Sequence, residues 1–148
     1  MHPNTKKQQG FTLIEIMVVI IILAILAAIV VPKIMSRPEQ ARMVKVKEDI
    51  AAIGNALSLY KLDNGTYPTT EQGLQALVKA TTVPPIPTNF IAGGYLKSVP
   101  LDPWGQKYQY TQPGQHGEYD IFTTDPNKTT PGSSAPLVIG NWNMDKVN

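Results

Sequence analysis

From Phe11 to Val31 the chain is apolar except for Thr12 and Glu15, and this run constrains the fold more than any other feature. As a helix, about 20 residues span roughly 30 Å, the thickness of a bilayer core. Lys6 and Lys7 precede the run, so the positive-inside rule puts the N-terminus in the cytoplasm and the rest across the membrane. A secretory signal wants a shorter apolar core, roughly 7–15 residues, followed by a small-residue cleavage site. Ala24, Ala27 and Ala28 lie inside the run instead, so a membrane helix is expected. Glu15 is the anomaly, because an acid at the centre of a membrane helix costs about 2.5–3.5 kcal/mol. It lies about 6 Å along the helix from Phe11, close enough to snorkel toward headgroups. The other reading is burial in a bundle of like helices, beside a cation at matching depth.

Beyond this run, Pro32 and Pro38 bracket Lys33 to Arg37, and each can kink a helix by removing a backbone donor. Met43, Val46, Ile50, Ile53, Leu57 and Tyr60 then recur at spacings of three and four, which is one helical face. Gly54 interrupts that helix at about 1 kcal/mol relative to Ala. Asp63-Asn64-Gly65 suits a left-handed stop. Except for Pro3, Pro32 and Pro38, the 13 prolines all lie from Pro68 onward, so the later chain is built for turns and extended segments.

Thr69 with Gln72 is a capping-box pattern that predicts a short helix to about Val78. Pro84, Pro85 and Pro87 predict a stiff, extended connector over Thr81 to Thr88. Asp102-Pro103-Trp104-Gly105 reads as a tight turn. Lys107–Thr111 and Tyr119–Thr124 predict an antiparallel hairpin around a loop from Gln112 to Gly117, with a third strand at Leu137–Ile139. The expected fold is α+β, a long N-terminal helix packed on a small antiparallel sheet. Its expected divisions are a basic leader 1–10, an apolar helix 11–31 and a domain 32–148. Within that domain the helix runs to about 62, a variable loop covers 63–105 and the sheet covers 106–148.

A net charge of +2, with no basic cluster interleaved with aromatics, gives no case for nucleic acid. Zero cysteines exclude disulfides and thiolate chemistry. The histidines are His2 and His116, so no pair has metal-ligand spacing, and no phosphate-binding glycine loop is present. Asp102, Asp120 and Glu118 read as turn and surface acids. No catalytic residue is expected, and a membrane-tethered periplasmic enzyme is the distant alternative.

Gly10-Phe11-Thr12-Leu13-Ile14-Glu15 resembles the processing motif of type IV pilins and pseudopilins. The resemblance implies cleavage between Gly10 and Phe11 by a prepilin peptidase, N-methylation of Phe11, and packing of the apolar helix in a filament core. Cleavage would leave Phe11 a free amine, cationic near neutral pH. That amine on one chain would pair with Glu15 on a neighbour, making Glu15 a device for assembly and register.

The segment Tyr60 to Leu74, the turn Asp102-Pro103-Trp104-Gly105, Tyr119-Asp120 and Ile139-Gly140-Asn141-Trp142 are similar to those of the major pseudopilins of type II secretion systems. That resemblance implies a periplasmic filament of copies of the chain, grown from the inner membrane. The implied partners are minor pseudopilins, the prepilin peptidase, an inner-membrane assembly platform with its ATPase, and an outer-membrane secretin. A type IV pilin for adhesion, motility or DNA uptake is the alternative, though the C-terminal cysteine pair of many such pilins is missing. Major pseudopilins typically bind calcium through several aspartates in the loop before the Ile-Gly-Asn-Trp end. Here residues 125–138 hold one acid, Asp125, and one lysine. Calcium takes 6–8 oxygen ligands, so Asp125 and Asn127 would make a weak, degenerate site at most. No metal or other cofactor is expected.

Overall fold

A computed structural model describes residues 10–147; the side chains of 29–36 lie outside the described set. The expected leader therefore lies outside the described residues except for Gly10. The elements in chain order are α1 (Leu13–Asn64), a 3-10 turn (Leu74–Leu77), β1 (Gln109–Thr111), β2 (Asp120–Thr129) and β3 (Pro136–Gly140). The chain divides into two compact units, Met1–Glu39 and Gln40–Asn148.

In the first unit α1 begins on the apolar run, and its backbone is helical through Pro32 and Pro38. Among the described residues no helix is long and apolar enough to cross a membrane. The span expected from the sequence continues to Val31, into the undescribed side chains.

In the second unit the periodic face of α1 is the core. Met43, Val46, Ile50, Ile53, Leu57 and Tyr60 are all buried, and they cluster with Leu74, Leu77, Tyr108, Tyr110, Ile121 and Ile139. Gly54 is explained by close packing: a Cβ there would stand 3.2 Å from the Tyr119 hydroxyl. The helix stops as its sequence predicts. Gly65 takes φ +80° and its N–H donates to the Lys61 carbonyl at 2.7 Å, while Asn64 Nδ2 donates to the Tyr60 carbonyl at 3.1 Å.

The sheet has the order β1-β2-β3, antiparallel throughout, with Tyr110 opposite Ile121 and Thr123 opposite Ile139. β2 runs five residues past its expected end at Thr124, into the segment read as loop. It survives Pro126 because the register breaks there: Asp125 faces Leu137, and the next pair is Thr129 with Pro136. A bulge at this point removes any need for the donor that proline lacks.

Three further expectations are corrected. The Thr69–Gln72 capping box forms in both directions, at 2.9 and 3.2 Å, yet it opens only one turn. Gly73 follows at φ +63°, which breaks the helical path and leaves a 3-10 turn where a helix to Val78 was predicted. The proline connector bends instead of running extended, because Gln72 Nε2 draws in the Val83 and Pro85 carbonyls at 2.7 and 2.8 Å. Asp102 and Asp120 are not surface acids but lie 4% and 3% exposed.

Candidate functional site: the helix start and the C-terminal loop

Gly10 to Thr12 precede the helix, and Thr12 caps it. The Glu15 N–H donates to Thr12 Oγ1 at 3.3 Å, and the Thr12 N–H donates to Glu15 Oε2 at 3.4 Å. This reciprocal pair is a capping box, encoded by the Thr-x-x-Glu spacing. It seats the carboxylate in the first turn, at the positive end of the helix dipole. Gly10 and Phe11 are exposed, so the peptide bond between them is accessible. From Leu13 to Leu26 the large apolar side chains are exposed on every face of α1, and Phe11, just before the helix, is 81% exposed. A helix that is apolar all round is satisfied only by lipid or by other helices.

The loop after β2 is held by its own groups. The Thr130 N–H donates to the Ala135 carbonyl at 2.9 Å and Thr130 Oγ1 to the Pro136 carbonyl at 3.1 Å. The Ala135 N–H donates to Ser133 Oγ at 3.1 Å. Asp125 is fully buried; Oδ1 accepts the Asn127 N–H at 2.8 Å, and Oδ2 has no hydrogen-bond partner. That lone oxygen is the one feature that invites a cation. Its pairing partner across the sheet is the apolar Leu137. Among the described residues no group of three or more His, Cys, Asp or Glu is placed to hold a metal. One carboxylate with one unused oxygen does not fit an ion that needs six to eight ligands.

Polar side chains organise the rest of the domain. Asp102 Oδ1 accepts the N–H groups of Trp104 and Gln106 at 3.0 and 2.7 Å, and Oδ2 accepts the Thr123 hydroxyl. One buried acid thus ties the Asp102–Gly105 turn to β2. The Tyr108 hydroxyl donates to Asp49 at 2.8 Å; burial, reinforced by that carboxylate, pushes its pKa up. Exposed Glu118 joins Lys61 at 2.6 Å and the Tyr67 hydroxyl at 3.2 Å, and these bonds hold its carboxyl below the usual range.

Asp120 carries the hairpin loop. Burial would raise its pKa, but the His116 ring at 2.9 Å and the N–H groups of Gln115 and His116 outweigh that and hold it down. The His116 ring then stacks on Trp142, with centroids 3.9 Å apart and planes 5° from parallel. Gly140 leaves room for that indole, since a Cβ there would lie 2.3 Å from it. The sequence offered no signal for this linkage beyond the motif itself.

Two family models match, "Type II secretion system (T2SS), protein G" over residues 33–142 and "Prokaryotic N-terminal methylation motif" over residues 5–31. A type II secretion system core protein G of Pseudomonas aeruginosa is 54% identical over 137 residues, covering 93% of this chain and 96% of the relative. Its counterpart in Escherichia coli K12 is 48% identical over 142 residues, covering 96% of each. Among solved structures, the major pseudopilin from the type 2 secretion system of enterohaemorrhagic Escherichia coli superposes with a TM-score of 0.64 at 45% identity. The match covers 76% of this chain and 96% of that one. An exposed apolar helix start, continued by an amphipathic helix on a three-stranded antiparallel sheet, makes this a type IV pilin-like protein. Within that class, the chain belongs to the type II secretion system protein G family.

Proposed function

We propose that the chain is a structural subunit that polymerises into the periplasmic pseudopilus of a type II secretion system and supports export of folded proteins across the outer membrane. The observation that carries this reading is the exposed apolar start of α1, next to an accessible Gly10–Phe11 bond and a Glu15 fixed in the first turn. The precursor sits in the inner membrane with its leader in the cytoplasm and its domain in the periplasm. A prepilin peptidase cuts after Gly10, and Phe11 is N-methylated. The apolar helix then leaves lipid for a bundle of identical helices, where the Phe11 amine of one copy neutralises Glu15 of another. Pro32 and Pro38 allow local opening of the helix during that transfer. Minor pseudopilins, the inner-membrane platform and the secretin complete the machine. No step asks the chain for catalysis.

We also propose that the 125–138 loop works without calcium. The donor set described above supports this, as do the loop's own hydrogen bonds and its prolines. Adding millimolar calcium to the purified chain should leave its melting temperature unchanged; a clear rise would show that Asp125 holds an ion after all.

Mass spectrometry of subunits cross-linked into filaments in isolated cell envelopes tests the main reading. The expected subunit begins at a methylated Phe11. Subunits that retain residues 1–10 would contradict it.

A further inference from the structure

The outer edge of β3 is occupied by a side chain. In the β2–β3 ladder Asp125 pairs with Leu137 and Thr123 with Ile139. The following pair is joined by the Asn141 N–H donating to the Ile121 carbonyl at 3.0 Å. Hydrogen-bonded pairs alternate in an antiparallel ladder, so the backbone polar groups of Val138 and Gly140 face away from β2. One side chain meets both residues. The Gly140 N–H donates to Asn143 Oδ1 at 2.8 Å, and Asn143 Nδ2 donates to the Val138 carbonyl at 3.0 Å. A residue of a parallel strand laid beside β3 would bridge the same two groups.

Asn141 repeats the device one strand inward, where β3 has ended. Its Oδ1 accepts the Ile121 N–H at 3.0 Å, and its Nδ2 donates to the Tyr119 carbonyl at 3.2 Å. Within the β2–β3 connection, Thr130 Oγ1 takes up the Pro136 carbonyl. Beyond the end of β1, the Thr70 hydroxyl accepts the Gln112 N–H at 2.8 Å and donates to its carbonyl at 3.0 Å. Unpaired edges are templates for another copy, and Leu137-Val138-Ile139 is the uncharged, β-prone kind of segment that joins readily.

We propose that Asn143 is a specificity-determining residue of assembly: its carboxamide fills the outer edge of β3 and keeps a second copy from joining sheet to sheet. The inference concerns the domain's own edge and does not depend on the secretion reading.

The test compares full-length protein in detergent as wild type, Asn143→Ala, and Ile50→Val, a core change on α1 that serves as a destabilised control. The readout is the protein concentration at which β-rich, thioflavin-binding assemblies appear. Freeing two backbone groups should lower that threshold roughly tenfold for Asn143→Ala relative to the control. Equal thresholds for the two variants overturn the proposal. Should Asn143→Ala not fold, Asn143→Ser carries the test, since its shorter hydroxyl cannot span both the Gly140 N–H and the Val138 carbonyl. Its threshold should fall about threefold, one hydrogen bond being lost; an unchanged threshold overturns the proposal equally. Helical filaments are scored separately in cells, so failure of the secretion reading and failure of this one are told apart.

Discussion

Before any neighbour arrives, the Glu15 carboxylate already has a partner in the Thr12 N–H of its own chain. Capping and intersubunit pairing make different demands on residues 12 and 15. Thr12→Ala removes only the hydroxyl cap, worth about 1 kcal/mol, and should leave filament yield close to wild type. Glu15→Ala removes the carboxylate, and should leave membrane insertion and cleavage intact while filaments are lost. Equal filament yields from the two variants, measured by cross-linking in isolated cell envelopes, would reduce Glu15 to a helix cap. Asp120 makes a second residue-scale prediction. Its folded pKa lies below its unfolded value, so the stability it contributes is present above the ordinary carboxylate range and is lost as pH falls below it. Asp120→Asn should therefore flatten the acid side of the stability–pH profile in urea melts between about pH 2 and 6.

Within α1, the buried stripe was legible because period and burial are the same physics: six apolar residues at helical spacing had one surface to cover. Leu57→Ala should cost about 2–5 kcal/mol in a denaturant titration, because the buried site cannot fully collapse. The strands were legible as three segments, but the length of β2 was not. Pro126 argues against a strand, and the bulge that tolerates it depends on β3. Gly73 likewise turned a predicted helix into a single 3-10 turn, through a left-handed conformation that residue spacing does not encode. Burial of Asp102 and Asp120 was hidden for the same reason, since their partners come from β2 and from the hairpin loop. Gly140 joins these long-range features. Gly140→Ala should force Trp142 off His116 and destabilise the domain by about 1–3 kcal/mol, with a change in tryptophan emission as the direct readout.

At the scale of the whole molecule, two kinds of surface serve two needs. The domain buries its amphipathic helix face, fills the outer edge of β3 with Asn143 and caps strand ends with Asn141 and Thr70. The start of α1 does the opposite and exposes apolar side chains on every face. The first segment is therefore stable only in lipid or among copies, and moving between those two environments is the work of a filament subunit. Family membership places that filament in type II secretion. Deleting the gene and assaying exoprotein release, twitching and transformation in parallel tests this most directly. Loss of a secretion-filament subunit should abolish release while twitching and transformation continue; unchanged release with twitching lost would overturn the assignment.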